Sequence, residues 1–263
     1  MVSIRLARLS ELHELAIVAM RAFAQDPVMA YMSCAQRPSD RIPLDTPPSL
    51  CTLDRQHRIL YYFLDGLARG TFATNGRVVV VTAPTTDEHG QPGHDRIVAF
   101  AYWLAPGAHM DSLRTIIKAK QHRFILGDSR AFLRGAGLRG YKRAAIEFQK
   151  PVDALQKREC IARKTDMSTC WHLQLVCVDP DFEGQGLCSK LMREHFTFAP
   201  DAPCLLEAST LKSRDIYLHY EFEITGEIIL GPGKVGANGL SAPSTDEAGG
   251  TPTFAMIRVP GHA

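Results

Sequence analysis

The 263 residues contain no apolar run of about 18, the length a membrane-spanning helix needs. The N-terminus lacks the charged-then-apolar layout of a signal peptide, and strand-like alternation begins directly after Met1, so the sequence reads as unclipped. The seven cysteines (Cys34, Cys51, Cys160, Cys170, Cys177, Cys188 and Cys204) form no CxxC pair and no Cys/His cluster at ligand spacing, so no metal is expected. An odd count without a leader argues for a reducing compartment, the cytoplasm and also the nucleus. No internal repeat is present. Aromatic residues do not interleave with the basic ones, so the stacking platforms of a nucleic-acid binder are missing and no nucleic-acid partner is expected.

What is present suits a soluble globular protein at the upper size of one domain. The chain is 45% apolar and 22% charged, enough for one sizeable core. Net charge is only +2, but it is unevenly spread. Between Gly107 and Cys170 fourteen Lys and Arg stand against six Asp and Glu. A solvated helical face is the simpler explanation; a basic rim beside an anionic ligand is the other.

Periodicity and turn residues give the order β-α-α-β-β, a helical insert, then β-α-β-α-β-β. Val2–Arg8 alternates as a half-buried strand. Ser10 is expected to cap a helix with Leu12, Leu15, Ile17, Val18 and Ala22 on its apolar side, broken at Asp26-Pro27. Leu53–Leu67 reads as a second helix, with Gly66 and Gly70 punctuating its end. Residues 77–82 and 96–104 form an antiparallel hairpin around a polar turn at 87–95. The insert, 107–170, is basic and helical in pattern. Later strands are expected at 171–178, 203–208, 223–230 and 253–259, and helices at 184–197 and 213–222. Residues 231–252, rich in Gly, Ala, Ser and Pro, read as a flexible loop. The expectation is a single domain over 1–263, an α/β mixed sheet with flanking helices, locally parallel from Trp171 onward.

The stretch Leu173 to Met192 carries the chemistry. An apolar strand runs into Asp179-Pro180, a turn leads to Gly184-Gln185-Gly186, and a helix with Leu187, Leu191 and Met192 follows. Glycine lets backbone approach a ligand, and the free N–H groups of a helix start, with its dipole, favour phosphate. This is a candidate pyrophosphate cradle.

The same residues resemble the signature of the GNAT superfamily of N-acetyltransferases: a strand ending Val-x-Pro, then Gln/Arg-x-x-Gly-x-Gly/Ala. Here Val178-Asp179-Pro180 is followed by Glu183 to Cys188, with Gly186 at the central glycine. Glu183 replaces Gln or Arg, and Cys188 replaces Gly or Ala. A second stretch, Leu206-Glu207-Ala208-Ser209, then Ile216-Tyr217 and Glu221-Phe222-Glu223, resembles the family's next strand and its Leu-Tyr-x-x-x-Gly-Phe helix. Glu221 stands where Gly is usual. The Asp26-Pro27 region and the long basic insert look like fungal-type members.

The resemblance implies about seven mixed strands, mostly antiparallel, with a splayed parallel pair. Acetyl-CoA would be the co-substrate in that wedge, and the acceptor an amine, small molecule or peptide. The backbone of Cys177 and Val178 would meet the pantetheine arm and acetyl group, with Val178 N–H polarising the carbonyl. The N–H groups of Gly184, Gln185, Gly186, Leu187, Cys188 and Ser189 would hold the pyrophosphate. Glu183 would face phosphates unless it turns outward. Tyr217 falls where the family often places a general acid, although ring packing would also explain it. For the base, His172 stands six residues before Val178, the position of the catalytic carboxylate in the histone-acetylating branch. Glu207 is the other candidate, in an apolar strand where burial would raise its pKa. Either could instead be a structural group satisfied by local hydrogen bonds. Ser209 and Thr210 bond the CoA arm or cap the next helix; Asp26 lines the acceptor site or only ends a helix. Cys177 has no base beside it and is not read as a nucleophile.

Two rivals stand beside acetyl transfer. Gly184-x-Gly186 with Glu207 superficially fits a dinucleotide fingerprint, but Ser189 holds the third glycine position and a Pro-containing turn separates strand from glycines. A non-catalytic acyl-CoA-binding or interaction domain on the same fold is the stronger rival, on account of Glu183, Cys188 and Glu221.

Overall fold

Unbroken runs of Val, Ile and aromatic residues need cover on both faces of a sheet, and that is where they lie. The computed structural model describes residues 2–43, 49, 52–85, 93, 95–108 and 136–261. Seven strands form one sheet: β1 (Ser3–Leu6), β2 (Arg77–Ala83), β3 (Arg96–Leu104), β4 (Trp171–Val178), β5 (Cys204–Ala208), β6 (Glu223–Leu230) and β7 (Thr251–Arg258). Their order is β1-β2-β3-β4-β5-β7-β6. Among the described residues only β4 and β5 pair in parallel; the other neighbours are antiparallel. Every residue of β2 and β3 after the first is buried.

Helices cover both faces. α1 (Leu12–Ala22), α2 (Pro27–Met32) and α3 (Arg55–Ala73) pack on Val78, Val80, Phe100, Tyr102, Leu175 and Cys177. The main element of the described part of the insert is one unbroken helix on β6 and β7, followed by a 3-10 turn at Met167–Thr169. The helix comprises α4 (Gly137–Tyr141), a π-helical segment (Lys142–Gln149) and α5 (Lys150–Ala162). On the opposite face α6 (Leu187–Phe198) and α7 (Leu211–Leu218) pack on Val79, Val81, Ala101, Leu206 and Met256. Residues 109–135 of the insert, and most of the expected polar turn at 87–95, lie outside the described residues.

Local chemistry corrects several boundaries. Ser10 does not cap α1. It sits in a 3-10 turn (Leu9–Glu11) in which Glu11 accepts the Arg8 N–H at 2.7 Å. α1 ends at Ala22, before the expected break at Asp26-Pro27, and that pair instead starts α2, a helix too short for periodicity to reveal. The Asp26 carboxylate accepts the Met29 N–H at 2.8 Å, and Pro27 sits in the first turn, where a missing N–H costs nothing. α3 runs through Gly66 and Gly70 to Ala73. Its buried stripe outweighs a cost of about 1 kcal/mol per glycine. α7 begins at Leu211 rather than Ser213, with Thr210 as cap and Ser213 closing a capping box.

Candidate functional site

β4 and β5 are paired at only three positions, Trp171↔Cys204, His172↔Leu205 and Leu173↔Leu206, and then part. The cause lies on the other edge of β4. Leu173 stands opposite Trp103, and Leu175 opposite Tyr102, so Gln174 is an extra residue. Such a β-bulge bends its strand and breaks the next pairing. Beyond it, the ladder sets the direction of each amide. Asp179 N–H donates to Val98 O at 2.8 Å, and Val178 stands opposite Ala99. Bonded and non-bonded pairs alternate along an antiparallel ladder, so Val178 and Val176 turn their N–H and C=O groups away from β3, into the gap. Cys177 turns its backbone to β3 and its side chain into the core under α1 and α3. Of the two backbones expected in the wedge, Val178 points into it; Val176, not Cys177, joins it.

The turn after Val178 ends in the two glycines. Gly184 and Gly186 have φ of +76° and +72°, and a Cβ at either would meet nothing within 4 Å. This left-handed backbone costs other residues about 1–2 kcal/mol. Gly186 starts α6 without any side-chain cap, and the first helical bond runs from Lys190 N–H to Gly186 O. The N–H groups of Leu187, Cys188 and Ser189 therefore face outward at the positive end of the helix dipole, beside exposed Gln185. Glu183 leans away from them, its carboxylate 3.4 Å from Lys212 Nζ on α7. Cys188 packs into the apolar cluster with Leu187 and Val176, and burial pushes its thiol up to about 11. The Ser189 hydroxyl lies 2.7 Å from that of Tyr220.

The two base candidates meet. His172 Nε2 lies 2.9 Å from Glu207 Oε2, a bond that bridges β4 and β5 where their ladder ends. The other Glu207 oxygen accepts from Gln156 Nε2 on α5. Burial disfavours an imidazolium at His172. The charge and hydrogen bond of Glu207, helped by Asp153, outweigh it and hold the His172 pKa above its ordinary value. With Nε2–H directed at Glu207, Nδ1 is the ring nitrogen without a hydrogen-bond partner among the described residues.

Tyr217 sits on α7 with its ring 6.0 Å from Phe222, and its hydroxyl has no hydrogen-bond partner among the described residues. Burial pushes its pKa well up, and Cys188, Asp26, Glu207 and Cys177 add to the shift. Charge on α2, β4, β5 and α6 thus acts on one phenol. Asp26 accepts from the Ser209 hydroxyl while it caps α2, and burial raises its carboxyl above the usual range. Ser209 is therefore bonded to Asp26, whereas Thr210 is the cap. A cavity of about 280 Å³ lies beside α2, lined by residues including Phe23, Gln25, Met29, Leu60 and Leu240. It adjoins Asp26 only through the chain, so the convergent polar groups belong to the wedge and not to the cavity.

No protein-family model and no curated protein matches the chain. Solved structures do. Histone acetyltransferase HPA2 and related acetyltransferase from Corynebacterium glutamicum superposes with a TM-score of 0.53 at 20% identity, over 100% of this chain and 98% of its own. Mosquito arylalkylamine N-acetyltransferase-like 5b gives 0.51 at 15% identity, over 98% and 100%. The Drosophila melanogaster polyamine N-acetyltransferase that forms N-acetylagmatine gives 0.50 at 13%, over 98% and 100%. The chain has the GNAT fold.

Within this GNAT fold, three further residues shape the site. Val176 is visible only through strand register. Gln156 comes from the insert. Arg21, buried at the end of α1, holds the cradle turn: its Nε and Nη2 meet the two Asp179 oxygens at 2.6 and 3.2 Å, and Nη2 meets Asp181 at 2.6 Å. Arg21 did leave a sequence signal. It falls three residues after Val18 and four after Ile17, on the apolar stripe of its helix. Among the described residues no group of three or more His, Cys, Asp or Glu is placed to hold a metal ion. No described helix is long and apolar enough to cross a membrane.

Proposed function

We propose that the protein is an N-acetyltransferase that moves an acetyl group from acetyl-CoA directly to an amine. The observation that carries this reading is the wedge itself. Two parallel strands part at a bulge, their gap leads to an uncapped helix start, and His172–Glu207 and Tyr217 flank it. The residues present suit CoA. The open glycines leave room, Glu183 turns to Lys212, and Cys188 turns into the core. The amides of Gly184, Gln185, Gly186, Leu187, Cys188 and Ser189 would hold the diphosphate, and those of Val176 and Val178 the pantetheine arm. The acyl thioester of acetyl-CoA supplies the activated carbon when bound.

The chain's own groups supply the rest. Val178 N–H is a fixed donor for an oxygen that gains charge. His172 Nδ1 takes the proton an ammonium must lose, while Glu207 steadies the ring. Tyr217 Oη, kept protonated by burial, donates to a leaving thiolate. An amine acceptor accords with the names of the arylalkylamine and polyamine enzymes that share the fold. We read 1–263 as one catalytic domain of the cytoplasm or nucleus. The fungal-type assignment rests on the Asp26-Pro27 region and the long basic insert.

The test is thiol release with acetyl-CoA and a panel of amines. Free CoA is expected above the rate without acceptor. Because His172 must be neutral to accept a proton, kcat/KM should rise with pH through a pKa above the ordinary histidine value. Tyr217→Phe should lower kcat roughly tenfold with CoA affinity unchanged; wild-type turnover would remove Tyr217 as the acid. Gly186→Asp places a charged side chain over the helix start. Calorimetry should show CoA affinity falling by about 2 kcal/mol or more, the sum of strain and repulsion; full affinity would overturn the placement of the cradle. Acyl-CoA binding without thiol release for any amine would instead mark a binding domain.

A further inference from the structure

We propose that Gln156, on the inserted helix, is a positioning residue that holds the Glu207 carboxylate so that His172 presents Nδ1 to the acceptor; this rests on the acetyl-transfer reading above. Gln149, Asp153, Gln156 and Cys160 recur at helical spacing along α5 and the residue before it, so they share one face. That face is turned inward, with Gln156 and Cys160 buried. The π-helical segment ahead of α5 resets the phase of the helix. It is itself pinned: the Tyr31 hydroxyl donates to Glu147, and Arg143 donates to Tyr31 O at 2.8 Å.

A fully buried glutamine is costly unless its amide is used. Here it is used once, by Nε2 donating to Glu207 Oε1, while its own Oε1 has no partner. A carboxylate only accepts, so this bond also fixes which way the amide faces. A glutamine kept for packing would not leave its carbonyl unsatisfied in order to aim its N–H at one carboxylate. With Glu207 Oε1 occupied, Oε2 is left for His172 Nε2 at 2.9 Å. The carboxylate cannot rotate without breaking one of the two bonds. The three side chains come from α5, β5 and β4, so the insert supplies one third of the arrangement. The charged groups that act on His172 are Glu207 on β5 and Asp153 on α5.

The test is an NMR titration of the His172 ring in the whole protein, with steady-state kinetics alongside. Gln156→Met keeps length and volume and removes the donor. Glu207 is then free to turn away, burial dominates, and the His172 pKa should fall by roughly one unit. The acid limb of the kcat/KM profile should move down with it. Turnover should drop on the order of tenfold, part of what a positioned base supplies, with the KM for acetyl-CoA unchanged. Gln156→Glu keeps a proton donor or adds a second anion, so the His172 pKa should stay at or above that of the wild type. A role in packing alone would move both variants together. That result, or a wild-type His172 pKa in Gln156→Met, overturns the inference. The titration needs no acceptor and decides the role of Gln156 by itself; absence of thiol release from the wild type would overturn the functional reading instead.

Discussion

Replacing Arg21 with Met lowers the unfolding free energy by about 3–5 kcal/mol, the usual result of removing one partner of a buried ion pair. Asp179 has no exposed surface, and Arg21 has almost none. The guanidinium meets both Asp179 oxygens, reaches Asp181, and donates to the Ile42 carbonyl. Without it, the Asp179 carboxylate keeps, among the described residues, only the Asp181 N–H at 3.0 Å. Met fills the volume of the stem, so the loss reports the uncompensated charge more than a cavity. Asp179→Asn in the same chain removes that charge, and the double variant should lose clearly less than the sum of the two single ones. Urea unfolding of the four proteins gives the coupling directly. Simple additivity would show that the pair does not carry the stability assigned to it. The same contact ties α1 to the cradle turn, so the Arg21 variant should also bind CoA more weakly.

Acid should destabilise the protein through one histidine. His195 on α6 has no exposed surface, and neither ring nitrogen has a hydrogen-bond partner among the described residues. Its ring stacks on Trp103 with centroids 3.6 Å apart and planes 5° from parallel, while Trp171 meets it edge-on. Burial, with the nearby charge of Arg77, lowers its pKa from 6.5 to about 3. Between those two values the unfolded chain binds a proton that the folded one refuses. Stability is therefore full above the unfolded value and is lost as pH falls toward the folded value. At 1.36 kcal/mol per pKa unit, about 3 kcal/mol should be gone by pH 4.5, and more below it. His195→Phe preserves the stack and has nothing to protonate. Its stability should be flatter between pH 6.5 and 4.5 by that amount. An unchanged slope would place the acid sensitivity elsewhere.

Arg21 and His195 show why some of the structure was legible and some was not. A charged residue on the apolar stripe of α1 signals burial, but its partner lies 158 positions away and no local pattern names it. His172 and Glu207 stood as competing bases because nothing in either segment states the register of β4 against β5. In the fold they are partners, 2.9 Å apart. The bulge at Gln174 is equally invisible, since an extra residue exists only relative to the neighbouring strand. Ser10 misled for the opposite reason: a good capping residue was present, but the 3-10 turn Leu9–Glu11 already holds it, and Glu11, without a side-chain cap bond, takes the cap position of α1.

The sequence by itself determined the strands from Val78 and Ile97 onward, the amphipathic helices, and the glycine turn ahead of Leu187. Each of these depends on backbone preference and burial within a few residues. Tertiary structure alone decided where β4 and β5 part, which amides face the gap, and which side chains hold His172. Those outcomes follow from strand register and from a helix delivered by a distant insert, and such long-range contacts are set only when the whole sheet has closed.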